Sequence, residues 1–197
     1  MKTVELKGFK REGTGKKVAK VLRNEEKVPC ILYGGEKNVN FYVEERDLKS
    51  LIYTPATFLL KVDIEGTIYN AIIQDMQYHP VSDRPIHVDF LQISDNKEVK
   101  ISVPVKLHGF AEGVKQGGKL QLVMRRLKVK ALPANLPDQL DINIDDLTLG
   151  KTIKIGELDY ENLELLDSRN AVVVAVRLTR AARGAMLAAK KEDGNEE

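Results

Sequence analysis

The chain is short of the residue types that build reactive centres. Its 197 residues hold one cysteine, three histidines and no tryptophan. No internal disulfide can form, and a structural zinc site, usually built from four Cys or His ligands, has too few to draw on. HExxH and CxxC pairs are absent, as are a GxSxG nucleophile turn and a GxxxxGK[ST] phosphate loop. The single thiol, Cys30, lies in the apolar run Val28-Pro29-Cys30-Ile31-Leu32 and reads as a small buried hydrophobe. No catalytic residue, metal or organic cofactor is therefore expected. No apolar stretch approaches the ~20 residues that cross a bilayer, and none follows the charges of the N-terminal MKTVELKGFKREG. The expectation is a cytosolic protein with no membrane or small-molecule partner.

What is present is ordinary globular material. An apolar content of 43% beside 30% charged residues is enough to build a core. The length suits two domains of about a hundred residues each. The charge is uneven. Through residue 23 there are eight lysines and arginines against two glutamates, a local charge of +6, while the whole chain carries +2. Such asymmetry marks a segment facing a polyanion or, equally, a solvated helix face.

Residues 2–10 alternate as a strand, and Thr14 or Gly15 can start a helix through about Asn24 with Val18, Val21 and Leu22 as its apolar stripe. Lys16, Lys17, Lys20 and Arg23 lie off that stripe. Strands are predicted over 28–33 and 39–43, a helix over 44–52 from Leu48, Leu51 and Ile52, and a hairpin from 58–64 and 67–77 around the turn Glu65-Gly66. A further strand covers 86–93. Together these describe an α+β or barrel-like domain over residues 1–94, closed by the polar break at Ser94-Asp95-Asn96. Extended segments at 99–107, 120–132, 140–144, 152–155 and 171–178 then make a second, mainly β domain over 95–180. A helix is expected over 179–190 within a polar tail, 181–197, whose last seven residues read as disordered.

The most informative piece is His87-Val88-Asp89-Phe90. On a strand, Ile86, Val88 and Phe90 share one face, and His87 and Asp89 share the other, about 7 Å apart by the rise per residue. An exposed imidazole and carboxylate can help bind a metal, do acid–base work or hydrogen-bond RNA. The ligand count is too small for the first, and an acid–base pair, as in a hydrolase, needs a concave pocket. An RNA-binding surface uses all the unusual pieces together. Basic residues of the first helix would contact phosphates, Tyr33 at a strand end would stack or donate its hydroxyl, and His87 with Asp89 would read base edges or ribose hydroxyls.

Three ordered motifs carry a family resemblance. Arg11-Glu12-Gly13-Thr14-Gly15-Lys16-Lys17, then Leu22-Arg23 to Val28-Pro29-Cys30-Ile31-Leu32-Tyr33-Gly34, then His87-Val88-Asp89-Phe90 resemble the bacterial large-subunit ribosomal proteins of the twenty-fifth family. Over residues 3–180 the chain is similar to the long, Ctc-type form. The resemblance implies an N-terminal β-barrel with two or three helices that binds 5S ribosomal RNA, followed by a mainly β domain. It implies RNA contact at Arg11, Arg23, Tyr33, His87 and Asp89, with Lys16 and Lys20 beside them. Other large-subunit RNA and neighbouring ribosomal proteins are further implied partners of a ribosome-associated chain that is monomeric off the ribosome. The same residues suit an RNA-binding accessory factor outside the ribosome. Two departures stand out: Glu25-Glu26-Lys27 occupies the place where the family usually has a glycine before the basic residue, and Cys30 replaces a common alanine or glycine. The two glutamates would repel phosphate, so the segment 24–27 is expected to face away from RNA, with Lys27 no contact.

Overall fold

The computed structural model describes residues 2–54, 56–94 and 96–180. The expected helix over 179–190 and the polar tail lie largely or wholly outside them. The chain forms two compact units, one of residues 1–101 with 131–138 and one of 102–130 with 139–197.

The first unit is a closed six-stranded barrel. Its strands are β1 (Lys2–Lys10), β2 (Lys27–Tyr33), β3 (Val39–Glu44), β4 (Phe58–Ile64), β5 (Thr67–Tyr78) and β6 (Pro85–Gln92), in the order β1-β3-β2-β6-β5-β4. Helix α1 (Lys16–Asn24) follows β1 and packs on β2, while α2 (Glu45–Ile52) follows β3. Closure comes from β1 and β4, which pair in parallel from Lys2 opposite Phe58 to Gly8 opposite Ile64. Alternate residues of each strand point inward, which brings Leu6, Val28, Cys30, Leu32, Phe41, Val43, Leu60, Val62, Val88 and Phe90 into one core with Leu48 and Leu51 of α2. Rings of Phe41 and Phe90 meet there at 5.4 Å.

Local rules set the joints. Glu65 and Gly66 both have positive φ, 52° and 89°, as a two-residue hairpin turn of the primed type requires. Glu26, between α1 and β2, sits at φ 58°, in the left-handed region where glycine is easiest. The family's usual glycine near this point thus has a backbone reason.

Apart from the first three residues of β7 and the last of β9, the second unit holds β7 (Val99–His108), β9 (Arg126–Ala131), β10 (Leu140–Asn143) and the two-residue β12 (Glu164–Leu165), a four-stranded sheet in the order β10-β7-β9-β12. A three-stranded sheet holds β11 (Thr152–Lys154), β13 (Val172–Arg177) and β8 (Lys119–Leu122). The continuous strand expected over 120–132 is in fact two. Both the Val123 and Met124 N–H groups donate to the Val173 carbonyl, at 2.9 and 3.2 Å. The chain turns there, and β8 and β9 go to different sheets. A one-turn helix, α3 (Glu112–Lys115), was not expected amid the glycines at 113–118.

The helix α1 also departs from its expected packing. None of its residues is buried, and Val18 and Val21, read as part of an apolar stripe, are 36% and 55% exposed. Ala19, Leu22 and Arg23 are the half-buried residues instead.

Glu26→Gly should raise stability slightly, by about 0.5 kcal/mol. It relieves ~1 kcal/mol or more of left-handed strain against a smaller rise in unfolded-chain entropy. Glu26→Val should lower it, since a β-branched side chain fits this conformation worst. Urea denaturation of both variants checks the sign.

Candidate functional site

The candidate residues come from three separate stretches, and the barrel's strand order decides which of them meet. Strands β2 and β6 are 52 residues or more apart in sequence yet run side by side in parallel, with Ile31 opposite Asp89 and Tyr33 opposite Leu91. Cys30, Leu32, Val88 and Phe90 are buried in the core, so Ile31, Tyr33, His87 and Asp89 lie on the outer face.

His87 and Asp89 touch. Sequence spacing puts their backbones about 7 Å apart, but the side chains converge until His87 Nδ1 lies 2.7 Å from Asp89 Oδ1, with side-chain exposures of 27% and 31%. An ionised carboxylate only accepts, so Nδ1 carries the proton. Nε2 is then left as an acceptor in the neutral ring or a donor in the charged one. The pair is thus a fixed polar unit rather than two independent groups.

The antiparallel pairing of β5 with β6 adds two residues that sequence reading missed. Asp75 stands opposite Asp89 and Gln77 opposite His87, across a bulge between Ile73 and Asp75. The signal for them was present: a loop at 79–84 between two strands implies antiparallel neighbours. The bulge hid the register. Tyr33 faces the same acidic ground. Burial first, then the charges of Asp89 and Asp75, push its phenol above the usual tyrosine value, which keeps it a neutral hydroxyl donor.

Arg23 ties α1 to this place, donating from Nε to the Ile86 carbonyl at 3.0 Å. Its other guanidinium nitrogens add positive charge next to His87. Lys16 and Lys20 are exposed on α1. At spacings i, i+4 and i+7 they fall on one strip with Arg23, spread over about 10 Å of helix axis. The first turn of α1 has no side-chain cap and no acidic residue, so its free N–H groups extend the same positive strip.

Arg11 donates its backbone N–H to Asn40 at 3.0 Å, and its Nε is enclosed without a partner. It lies near enough to Cys30 to favour the thiolate electrostatically, while Asp89 acts oppositely. Burial outweighs both and raises the Cys30 thiol far above its ordinary value. Its Sγ donates to the Val28 carbonyl at 3.3 Å; it is an inert core thiol.

Lys27 is occupied away from this strip, paired with Glu25 at 2.7 Å and set 5.4 Å from the centre of the Tyr42 ring. Arg23, Tyr33, His87 and Asp89 are gathered at the β2–β6 seam, with Arg11 electrostatically close and Lys20 and Lys16 about one and two helical turns out. Among the described residues no group of three or more His, Cys, Asp or Glu is placed to hold a metal. A cavity of about 520 Å³ lies against Glu5, Lys7, Arg46, Asp47, Lys61 and Asp63. It does not include His87 or Asp89 in its lining, so this pair does not face that hollow.

Comparison with known proteins falls on the same segments. Residues 6–90 match the Ribosomal L25p family, and residues 98–180 match the family described as Ribosomal protein TL5, C-terminal domain. The chain is 54% identical over 194 residues to the large ribosomal subunit protein bL25 of Porphyromonas gingivalis, covering 98% of this chain and 100% of that one. With the bL25 of Bacteroides fragilis identity is 51% over 196 residues, 97% and 100% of the two chains. With that of Parabacteroides distasonis it is 50% over 190 residues, 94% and 98%.

The raised Tyr33 value has a sign that can be measured. A folded-state phenol with a raised value loses stability relative to the unfolded chain as pH rises from about 10 through the higher folded value. The difference in unfolding free energy between the wild type and Tyr33→Phe should be flat from pH 7 to 9 and fall above it, and Asp75→Asn should narrow that alkaline window. Denaturant melts across pH 7–11 test both.

Proposed function

The chain belongs to the Ribosomal L25p family, in the long form with a TL5-type C-terminal domain, and we propose that it binds 5S ribosomal RNA through residues 1–94. As a member of that family it is a structural constituent of the large ribosomal subunit, associated with ribosomes in the bacterial cytoplasm, and not an enzyme. In this reading residues 95–180 form a separate domain that leaves 5S rRNA to the first, 181–197 are an appended tail, and the free protein is a monomer.

One observation carries the RNA reading. The Arg23 bond to the Ile86 carbonyl joins the cationic strip of α1 to the His87–Asp89 pair, so phosphate-binding and edge-reading groups share one surface. Lys16, Lys20 and Arg23 would fix register on the backbone. The wide, shallow minor groove of A-form RNA presents ribose hydroxyls and base edges. Tyr33 as donor, Asp89 as acceptor and His87 through Nε2 suit such a surface, and Asp75 and Gln77 extend it along β5. Arg11, electrostatically close to the seam through Cys30, adds a further cation beside it.

Filter binding of 5S rRNA should show His87→Ala and Asp89→Ala each weakening affinity by about 1–3 kcal/mol, the scale of one good base contact. Their melting temperatures should hardly move, because a solvent-accessible ion pair adds at most about 1 kcal/mol to stability. Affinity should also fall steeply between low and physiological salt, as counterions released by several cations require. Unchanged affinity in both mutants, or a flat salt profile, would reject this surface as the site.

A further inference from the structure

A rigid RNA shape is met by cations and edge-reading groups that stand at one fixed separation, and the bond from Arg23 to Ile86 is not the only link that sets it here. Helix α2 takes part. Its first N–H, on Glu45, has no acceptor within the helix, and the N-cap residue Glu44 supplies no side-chain cap. The Glu26 carbonyl takes that N–H, at 2.9 Å. The Glu45 carboxylate in turn reaches the loop ahead of β6, where Arg84 donates from Nε to Glu45 Oε2 at 2.9 Å and from Nη2 to the same oxygen. Charge-assisted bonds of this kind are the stronger ones.

Arg84 is well placed to transmit such a link. The loop before it is closed on itself: His79 donates its N–H to the Arg84 carbonyl at 2.8 Å, Asp83 donates to the His79 carbonyl at 2.9 Å, and Ser82 Oγ lies 3.0 Å from His79 Nδ1. After it come Pro85, whose ring fixes φ, Ile86, whose carbonyl accepts from Arg23, and then His87. The links form a ring. It runs from Arg23 to Ile86, back along the chain to Arg84, across to Glu45 and on to Glu26, whose own N–H donates to the Arg23 carbonyl at 3.3 Å. Around that ring α1, α2 and the head of β6 are coupled. The charges reinforce it, since the Arg84 guanidinium is held above the usual arginine value first by its hydrogen bond to Glu45, then by the charge of that carboxylate and, less strongly, by Glu26. Glu26, strained at positive φ, thus offers Arg84 a charge that a glycine would lack. With side-chain exposures of 45% for Arg84 and 14% for Glu45, the pair adds little to overall stability. Its effect is on placement.

We propose that Glu45 and Arg84 are positioning residues for RNA binding: their ion pair fixes the head of β6 against α1, so that Lys16, Lys20 and Arg23 meet RNA at the separation His87 and Asp89 require, and neither Glu45 nor Arg84 touches the RNA. The inference rests on the 5S rRNA reading of this surface. It carries a sign opposite to that of simple charge repulsion. An acid that only repelled a nearby polyanion would, once neutralised, leave the RNA bound more tightly. Neutralising Glu45 instead weakens binding, because the freed joint has to be ordered on the RNA.

Filter binding of 5S rRNA to the full chain across a range of salt concentrations tests this. Glu45→Gln and Arg84→Gln should each weaken binding about fivefold, the scale of ordering one freed side chain, and the double variant no more than either alone, since both break the same link. The salt slope should match the wild type in all three, because no phosphate contact is lost. Arg84→Lys keeps the charge and a donor for Glu45. It should bind within about twofold of the wild type and lose that advantage when Glu45→Gln is added, a comparison that stands even if Arg84→Gln does not fold. Unchanged or tighter binding by Glu45→Gln would overturn the proposal. So would a salt slope lowered by about 0.7–0.9 in Arg84→Gln, the mark of a direct phosphate contact, or an advantage of Arg84→Lys that survives Glu45→Gln. Failure of the 5S reading shows separately, as a wild-type chain that binds 5S rRNA no better than an unrelated RNA duplex.

Discussion

The first unit depends on the parallel pairing of β2 with β6. Parallel neighbours cannot be joined by a tight turn, so the chain must first build β3, α2, β4 and β5 before β6 can return beside β2. That one seam does two things. Inside, it sets Cys30 and Leu32 against Val88 and Phe90, and outside it sets Ile31 and Tyr33 against Asp89 and Leu91. A shift of one residue would exchange the faces and bury Asp89 where Phe90 now packs. The hydrophobic register and the polar surface are therefore one constraint.

Arg23 shows how little else holds α1. With no buried residue in the helix, apolar packing contributes little, and the bond to the Ile86 carbonyl anchors it on β6. A hydrogen bond from a charged donor adds about 1.5–3 kcal/mol. The positive strip is therefore held at one end, with Lys16 and Lys20 left on solvent.

Much of the fold was legible because local rules governed it. Strand β4 runs over 58–64 as alternation suggested, and Glu65-Gly66 turns as a two-residue hairpin does. The barrel's helices fall within a residue or two of their expected limits. What the sequence concealed was non-local. Val18 and Val21 have helical spacing, but spacing cannot say that the helix would lean on Ala19, Leu22 and Arg23. The break at 123–125 follows from two amides sharing the Val173 carbonyl, a partner some fifty residues away. Asp75 escaped notice because the bulge beside it moves the register. At the site, the alternation of 86–90 was readable, whereas the meeting of His87 and Asp89 depends on rotamers and not on pattern.

The distance along the chain between Arg23 and Ile86 has a bearing on timing. A ribosome making this protein releases α1 and β2 well before β6, and during that interval the cations exist without the His–Asp pair and without the seam that anchors them. The nascent segment is then a basic peptide able to meet any nucleic acid through charge alone. Only when β6 docks does the proposed reading surface exist. In the proposed RNA reading, selectivity is thus a property of completed folding, and partly made chains could not yet occupy a place on RNA meant for the finished barrel.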